Sequence, residues 1–150
     1  MTRIEEIFDV AAPIARVYDS ICNVGEIGYV VAGVQKVDVL SEDESDWKVL
    51  VKAGMISQTM TLRGTITSRE PPRKLTFRAE GRNVSLDGLV ELEAGDAGVT
   101  HCRVVAQSEV TGRLAPLINL IARTTQKQLI AETVSNFRKK LSGSEIPRPA

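Results

Sequence analysis

Glu6 shares the phase of Ile4, Phe8 and Val10 in an alternating segment, which places a carboxylate on the apolar side of the first predicted strand. A desolvated glutamate there could act as a general acid or base, or hold the polar group of a ligand. The plainer alternative is a carboxylate near a mouth or an edge, paired with an arginine. His101 is the one histidine, so a His-based metal cluster and an H-E-x-x-H helix are excluded. On the strand rhythm it falls on the polar face with Arg103, Gln107 and Glu109, as a solvent-facing histidine would. Cys22 and Cys102 lie far apart and form no CxxC pair. They read as reduced core thiols rather than a nucleophile or a bridge. Ser108 and Gln58 are the other polar side chains in phase with a core face. No GxGxxG or GxxxxGK[ST] loop occurs, and the acidic run from Glu42 to Asp46 lacks the length and glycine placement of a calcium loop. Glu6 is therefore the single catalytic candidate, and neither a metal site nor a cofactor is expected.

The elements that must position these residues follow from hydropathy patterning. Ile4 to Val10 alternates as a strand, and Ala12-Pro13-Ile14 breaks it. Pro13 suits the first turn of a helix, where its missing N–H costs nothing. Ile14, Val17, Tyr18 and Ile21 follow at helical spacing, and Val24 to Val31 predicts a second short helical or irregular piece. From Gly33 the period becomes two. Val37 and Val39 lead to the polar stretch Ser41 to Asp46, read as a hairpin connection. Trp47, Val49 and Val51 line one face of the next strand, and Met60, Leu62 and Ile66 line its partner. Pro71-Pro72 marks a turn. Three more strands carry Leu75 and Phe77, then Val84 to Leu92, then Cys102 to Val110. Such strands predict one antiparallel sheet with a wet side.

Gly112 releases the chain into a helix from about Arg113 to Leu141, far above the mean length of roughly 11–12 residues. Its apolar residues mostly step by four, so the stripe rotates along a helix of 3.6 residues per turn. Either the sheet curls around the helix, or its first half serves a lid, a ligand or another copy of the chain in a homodimer. The predicted class is α+β: a curled antiparallel sheet of about seven strands around a long C-terminal helix, with two short helices after strand 1. A single domain spans residues 1–141, and residues 142–150 read as a disordered tail.

Nineteen basic and nineteen acidic residues cancel, and aromatic content is 4%. The chain thus lacks both the field and the stacking platforms of a nucleic-acid binder. No apolar run approaches the roughly 18 residues that span a bilayer. Acidic residues stand where a secretory signal would be apolar, so a cytoplasmic location is expected.

Phe8-Asp9-Val10-Ala11-Ala12-Pro13 followed by Val17-Tyr18 resembles the opening of the START/Bet v 1-like (SRPBCC) superfamily, whose helix-grip fold has this order of elements. More specifically, the chain resembles the carbon monoxide dehydrogenase CoxG family. The matching stretches are Gly33-Val34, Pro71-Pro72 and Gly112-Arg113-Leu114-Ala115, together with the mixed composition of Ile121 to Phe137. The likeness extends over nearly all of residues 3–141. Ala32-Gly33 departs from the Pro-Gly of many members, and the chain ends nine residues after Leu141, where some relatives carry a long extension toward the membrane. Membrane contact is accordingly expected to be peripheral at most, at the inner face. The resemblance implies a lipophilic ligand, such as a quinone or isoprenoid, and an association with a molybdenum hydroxylase. It carries no catalytic residue over.

Three readings stand. In the first the chain is a non-enzymatic binder of a lipophilic small molecule. Val37, Val49, Val51, Met60, Leu62, Phe77, Leu86, Val90 and Val104 form the floor of its cavity, and Leu117, Ile118 and Ile121 the roof. In the second, Glu6 serves a cyclase or hydrolase in the same cavity. In the third, the rotated stripe of the closing helix docks a partner enzyme.

Overall fold

The computed structural model describes residues 2–53, 55–112 and 115–141. The tail expected at residues 142–150 lies outside them. Strand β1 (Thr2–Val10) leads into α1 (Ile14–Cys22), α2 (Val24–Ile27) and a 3-10 turn at Gly28–Val30. Six strands follow: β2 (Val34–Val39), β3 (Glu44–Ala53), β4 (Ile56–Glu70), β5 (Lys74–Gly81), β6 (Val84–Ala94) and β7 (Thr100–Val110). Helix α3 (Ala115–Leu141) closes the chain. The strands form one antiparallel sheet in the order β1-β7-β6-β5-β4-β3-β2.

Local chemistry explains where these elements start and stop. Pro13 holds extended backbone (φ −63°, ψ 148°) one residue ahead of α1, at the cap rather than in the first turn. The alternation behind it puts Val17 and Tyr18 into the core. The segment Ser41 to Asp46 is mostly strand and not the loop its polarity predicts. Only Ser41–Asp43 turns, closed by the Glu44 N–H donating to Ser41 Oγ (3.1 Å). Glu44 and Asp46 extend the strand because their carboxylates meet Arg63 on the outer face, Asp46 at 2.5 Å. Ser45, on the inner face, is buried and accepts the indole N–H of Trp47 (2.7 Å). Gly112 sits at φ +91°, a conformation that favours glycine, and turns β7 toward α3.

The tertiary contacts of α3 show that the sheet is curled. In a flat seven-stranded sheet β1 and β2 would stand roughly 29 Å apart, at about 4.8 Å per strand. Yet a short stretch of α3 reaches both sides. Phe137 packs edge-to-face on Phe8 of β1 (centroids 6.2 Å), and Arg138 donates to the Asp9 carbonyl (3.0 Å). Thr133 Oγ1 accepts from Ala32 N–H (2.9 Å) and Asn136 donates to the Val30 carbonyl (3.2 Å), just ahead of β2. Thr133 to Arg138 spans only about 8 Å of helix axis, so the sheet must bend round to meet it.

The packed core lies at the α1 end of the inner face. Val10, Val17, Tyr18, Leu75, Leu92, Cys102, Phe137 and Leu141 form one buried cluster there. Thr100, fully buried, donates to the Ala12 carbonyl (2.7 Å), so its hydroxyl is satisfied inside the core. The outer face is wet and cross-linked by Arg–carboxylate pairs, among them Arg69–Asp43 (2.5 Å) and Arg78–Asp87 (2.8 Å). Exposed pairs of this kind contribute little stability each.

Candidate functional site

Strand register divides the inner face into rows two residues apart. The row Phe8–Cys102–Leu92 belongs to the packed cluster, with Cys102 2% and Leu92 5% exposed. The next row is Glu6–Val104–Val90–Leu75. Leu75 is still buried at 4%, but Glu6, Val104 and Val90 are only half-buried. Beyond it come Ile4–Ala106–Gly88–Phe77 and then Ser108–Leu86–Ala79, again half-buried throughout. Close packing therefore stops at the Glu6 row, although apolar side chains continue past it.

The anticipated floor residues fall on this face. Val49, Val51, Met60, Leu62, Phe77, Leu86, Val90 and Val104 are all half-buried. Val37 differs: it is buried beneath the 3-10 turn, where a Cβ on Gly28 would meet its Cγ2 at 2.8 Å. Trp47 is wedged in the same corner between Gly28 and Gly64, an arrangement without any local sequence signal because the glycines come from separate elements. The side chains of Leu117, Ile118 and Ile121 lie outside the described residues. Gly88 makes room for an aromatic ring, since a Cβ there would stand 2.1 Å from Phe77 Cζ.

Glu6 has the phase its spacing predicts. The arginine partner is not there: among the described residues Glu6 makes no hydrogen bond or ion pair. Its neighbour Glu5, on the outer face, is held by Arg103 (2.6 Å) and Arg3 (3.5 Å). The Arg103 guanidinium keeps the Glu5 carboxyl below its ordinary value. Arg103 also pairs with Glu91 and is itself raised.

The remaining reactive groups do not converge on this face. His101 is exposed, with Nδ1 2.6 Å from Asp9 Oδ1, and that carboxylate raises the imidazole above 6.5. Burial pushes the Cys102 thiol up to about 11. Cys22 is half-buried, and both cysteines are free. Burial, reinforced by the Cys22 thiol, raises the phenol of Tyr18, whose hydroxyl donates to the Lys74 carbonyl (3.1 Å). Ser108 is half-buried on the inner face, and Gln58 is exposed, donating to the Thr59 carbonyl (3.5 Å). Among the described residues no three His, Cys, Asp or Glu side chains gather as a metal site. No described helix is long and apolar enough to cross a membrane. A polar groove of about 380 Å³ joins α1 to the end of α3, spanned by the Lys140–Glu26 pair (3.3 Å). Its two sides are more than 100 residues apart in sequence, so patterning does not reveal it.

The curled sheet and its long closing helix are shared with known structures. A conserved protein from Geobacillus kaustophilus superposes with a TM-score of 0.79 at 16% identity, covering 95% of this chain and 96% of that one. A START superfamily protein from Mycobacterium smegmatis gives 0.75 at 9% identity, covering 94% and 97%. The Zhui aromatase/cyclase from Streptomyces sp. R1128 gives 0.63 at 16%, covering 97% and 99%. At these identities the likeness is one of fold, the START/Bet v 1-like helix-grip. No curated protein matches significantly. The model of the carbon monoxide dehydrogenase CoxG family matches residues 7–142, from the first strand through the closing helix, and this chain belongs to that family.

Proposed function

We propose that the chain binds a lipophilic small molecule between the curled sheet and the first half of α3, and performs no catalysis on it. The observation that carries this reading is the break in packing at the Glu6 row. Val104, Val90, Phe77, Leu86 and Leu62 continue the apolar face beyond it yet stay half-buried, under a helix that spans about 40 Å. Protein interiors are normally close-packed, so apolar surface left accessible beneath a helix is suited to a guest. Burial of ligand at roughly 25 cal/mol per Å² supports micromolar affinity without any charged contact. Leu117, Ile118 and Ile121 supply the roof in this proposal. The family adds the partner: a cytoplasmic molybdenum hydroxylase of the CO dehydrogenase type, served by a carrier of a quinone or isoprenoid, with membrane contact no more than peripheral.

Native mass spectrometry of the protein from its own host, followed by solvent extraction, tests the reading. A stoichiometric lipophile is expected, and Leu86→Arg should lose it while keeping the far-ultraviolet circular dichroism of the wild type. An empty protein that co-purifies with a larger enzyme would favour a docking role instead.

A further inference from the structure

Glu6 is the one charged residue on the inner face of β1, β5, β6 and β7 among the described residues. It stands where packing ends, flanked along its strand by Ile4 and Phe8 and across the sheet by Val104. A half-buried carboxylate without a protein partner is costly, because each step away from water removes hydration that nothing replaces. Every nearby outer-face carboxylate avoids this: Glu5 and Glu91 share Arg103, and Asp9 takes His101. Glu6 has no such recourse. From its row to the far end of β7 at Val110 the inner face runs about 20 Å, at roughly 3.3 Å per residue. That is a long apolar strip with one acceptor at its inner end.

We infer that Glu6 is the head-group acceptor of this cavity, and that its ligand is an elongated amphiphile whose inner end donates a hydrogen bond, an alcohol or an ammonium. The inference rests on the cavity reading above and deepens it. A donor head restores the hydration Glu6 gives up, through a charge-assisted bond in low-dielectric surroundings. An ester head offers only acceptors, and a fatty acid carboxylate adds repulsion. Glu6 thus acts as a specificity residue: chain burial supplies affinity and the head supplies choice.

Competition against nile red fluorescence tests this with four probes of one twelve-carbon chain: dodecylamine, dodecanol, methyl dodecanoate and dodecanoate. Dodecylamine and dodecanol are expected to bind roughly tenfold to a hundredfold more tightly than the ester and the acid. Glu6→Gln should collapse that order, and Glu5→Gln, one residue away on the outer face, should keep it. Equal affinities in the wild type, or an order that survives in Glu6→Gln, would overturn the inference and leave the cavity reading intact. Failure of nile red and all four probes to bind would overturn the cavity reading itself, and the inference with it. Should Glu6→Gln not fold, the wild-type order remains decisive, and Glu6→Asp, which draws the carboxylate back by one methylene, should narrow it.

Discussion

Phe8 of the first strand and Phe137 of the closing helix meet edge to face, ring centroids 6.2 Å apart with planes at 89°. The Arg138 guanidinium stands 6.0 Å from the Phe8 centroid, completing a three-member stack. The pair joins two ends of the chain that are 129 residues apart and holds α3 against the edge strand beside which Glu6 looks inward.

Phe137 is 7% exposed, so Phe137→Ala should cost about 3 kcal/mol through lost burial and the cavity left behind. Urea denaturation of wild type and variant measures it. A loss under about 1 kcal/mol would mean that the rest of α3 holds the helix in place without this contact.

Gly88→Ala places a methyl group where Phe77 Cζ now lies, 2.1 Å from the ideal Cβ. The ring must swing away from β6, further into the space over the inner face. Overpacking of this kind costs roughly 1–3 kcal/mol. Nile red affinity should fall in Gly88→Ala and recover in the Gly88→Ala, Phe77→Leu double variant, which removes the clash. Independent, additive effects of the two changes would show that ring and glycine are not coupled.

His101 stands between Asp9 and Glu93 in register, with Asp96 close by, and its folded value is raised above 6.5. A raised value means that the Asp9–His101 pair contributes its full stability below about pH 6.5. The contribution is lost as pH rises through the folded value. The melting temperature gap between wild type and Asp9→Asn should therefore be wider at pH 5.5 than at pH 8.5. The side chain is exposed, so the gap is expected to be small and to shrink further with salt. An unchanged gap across that range would remove the pair from the stability of β1.

Cys102 is 2% exposed and its thiol is held at about 11, whereas Cys22 is half-buried. Alkylation depends on thiolate and access together. Iodoacetamide at pH 8 should label the native protein once, at Cys22, and twice after denaturation. Peptide mapping that finds Cys102 modified in the folded protein would indicate that β1 and β7 open readily at their buried end.

The sequence by itself determined the order of elements, the antiparallel sheet and the long closing helix, because period-two and period-3.6 patterns are local properties of the chain. It also placed Glu6 on the apolar phase of β1 and His101 on the wet phase of β7, since a strand side chain can point only two ways. Polarity alone misled at Ser41 to Asp46, where the strand persists because Arg63 and Trp47, from elsewhere in the sheet and the same strand, satisfy the polar side chains. What only the tertiary structure decided is where packing stops. Val37 and Val104 look alike in sequence, yet one is sealed under Gly28 and the other lies past the edge of the core. Glu6 has no arginine for the same reason: pairing depends on which side chains the curled sheet and α3 bring within reach, and no spacing along the chain encodes that distance.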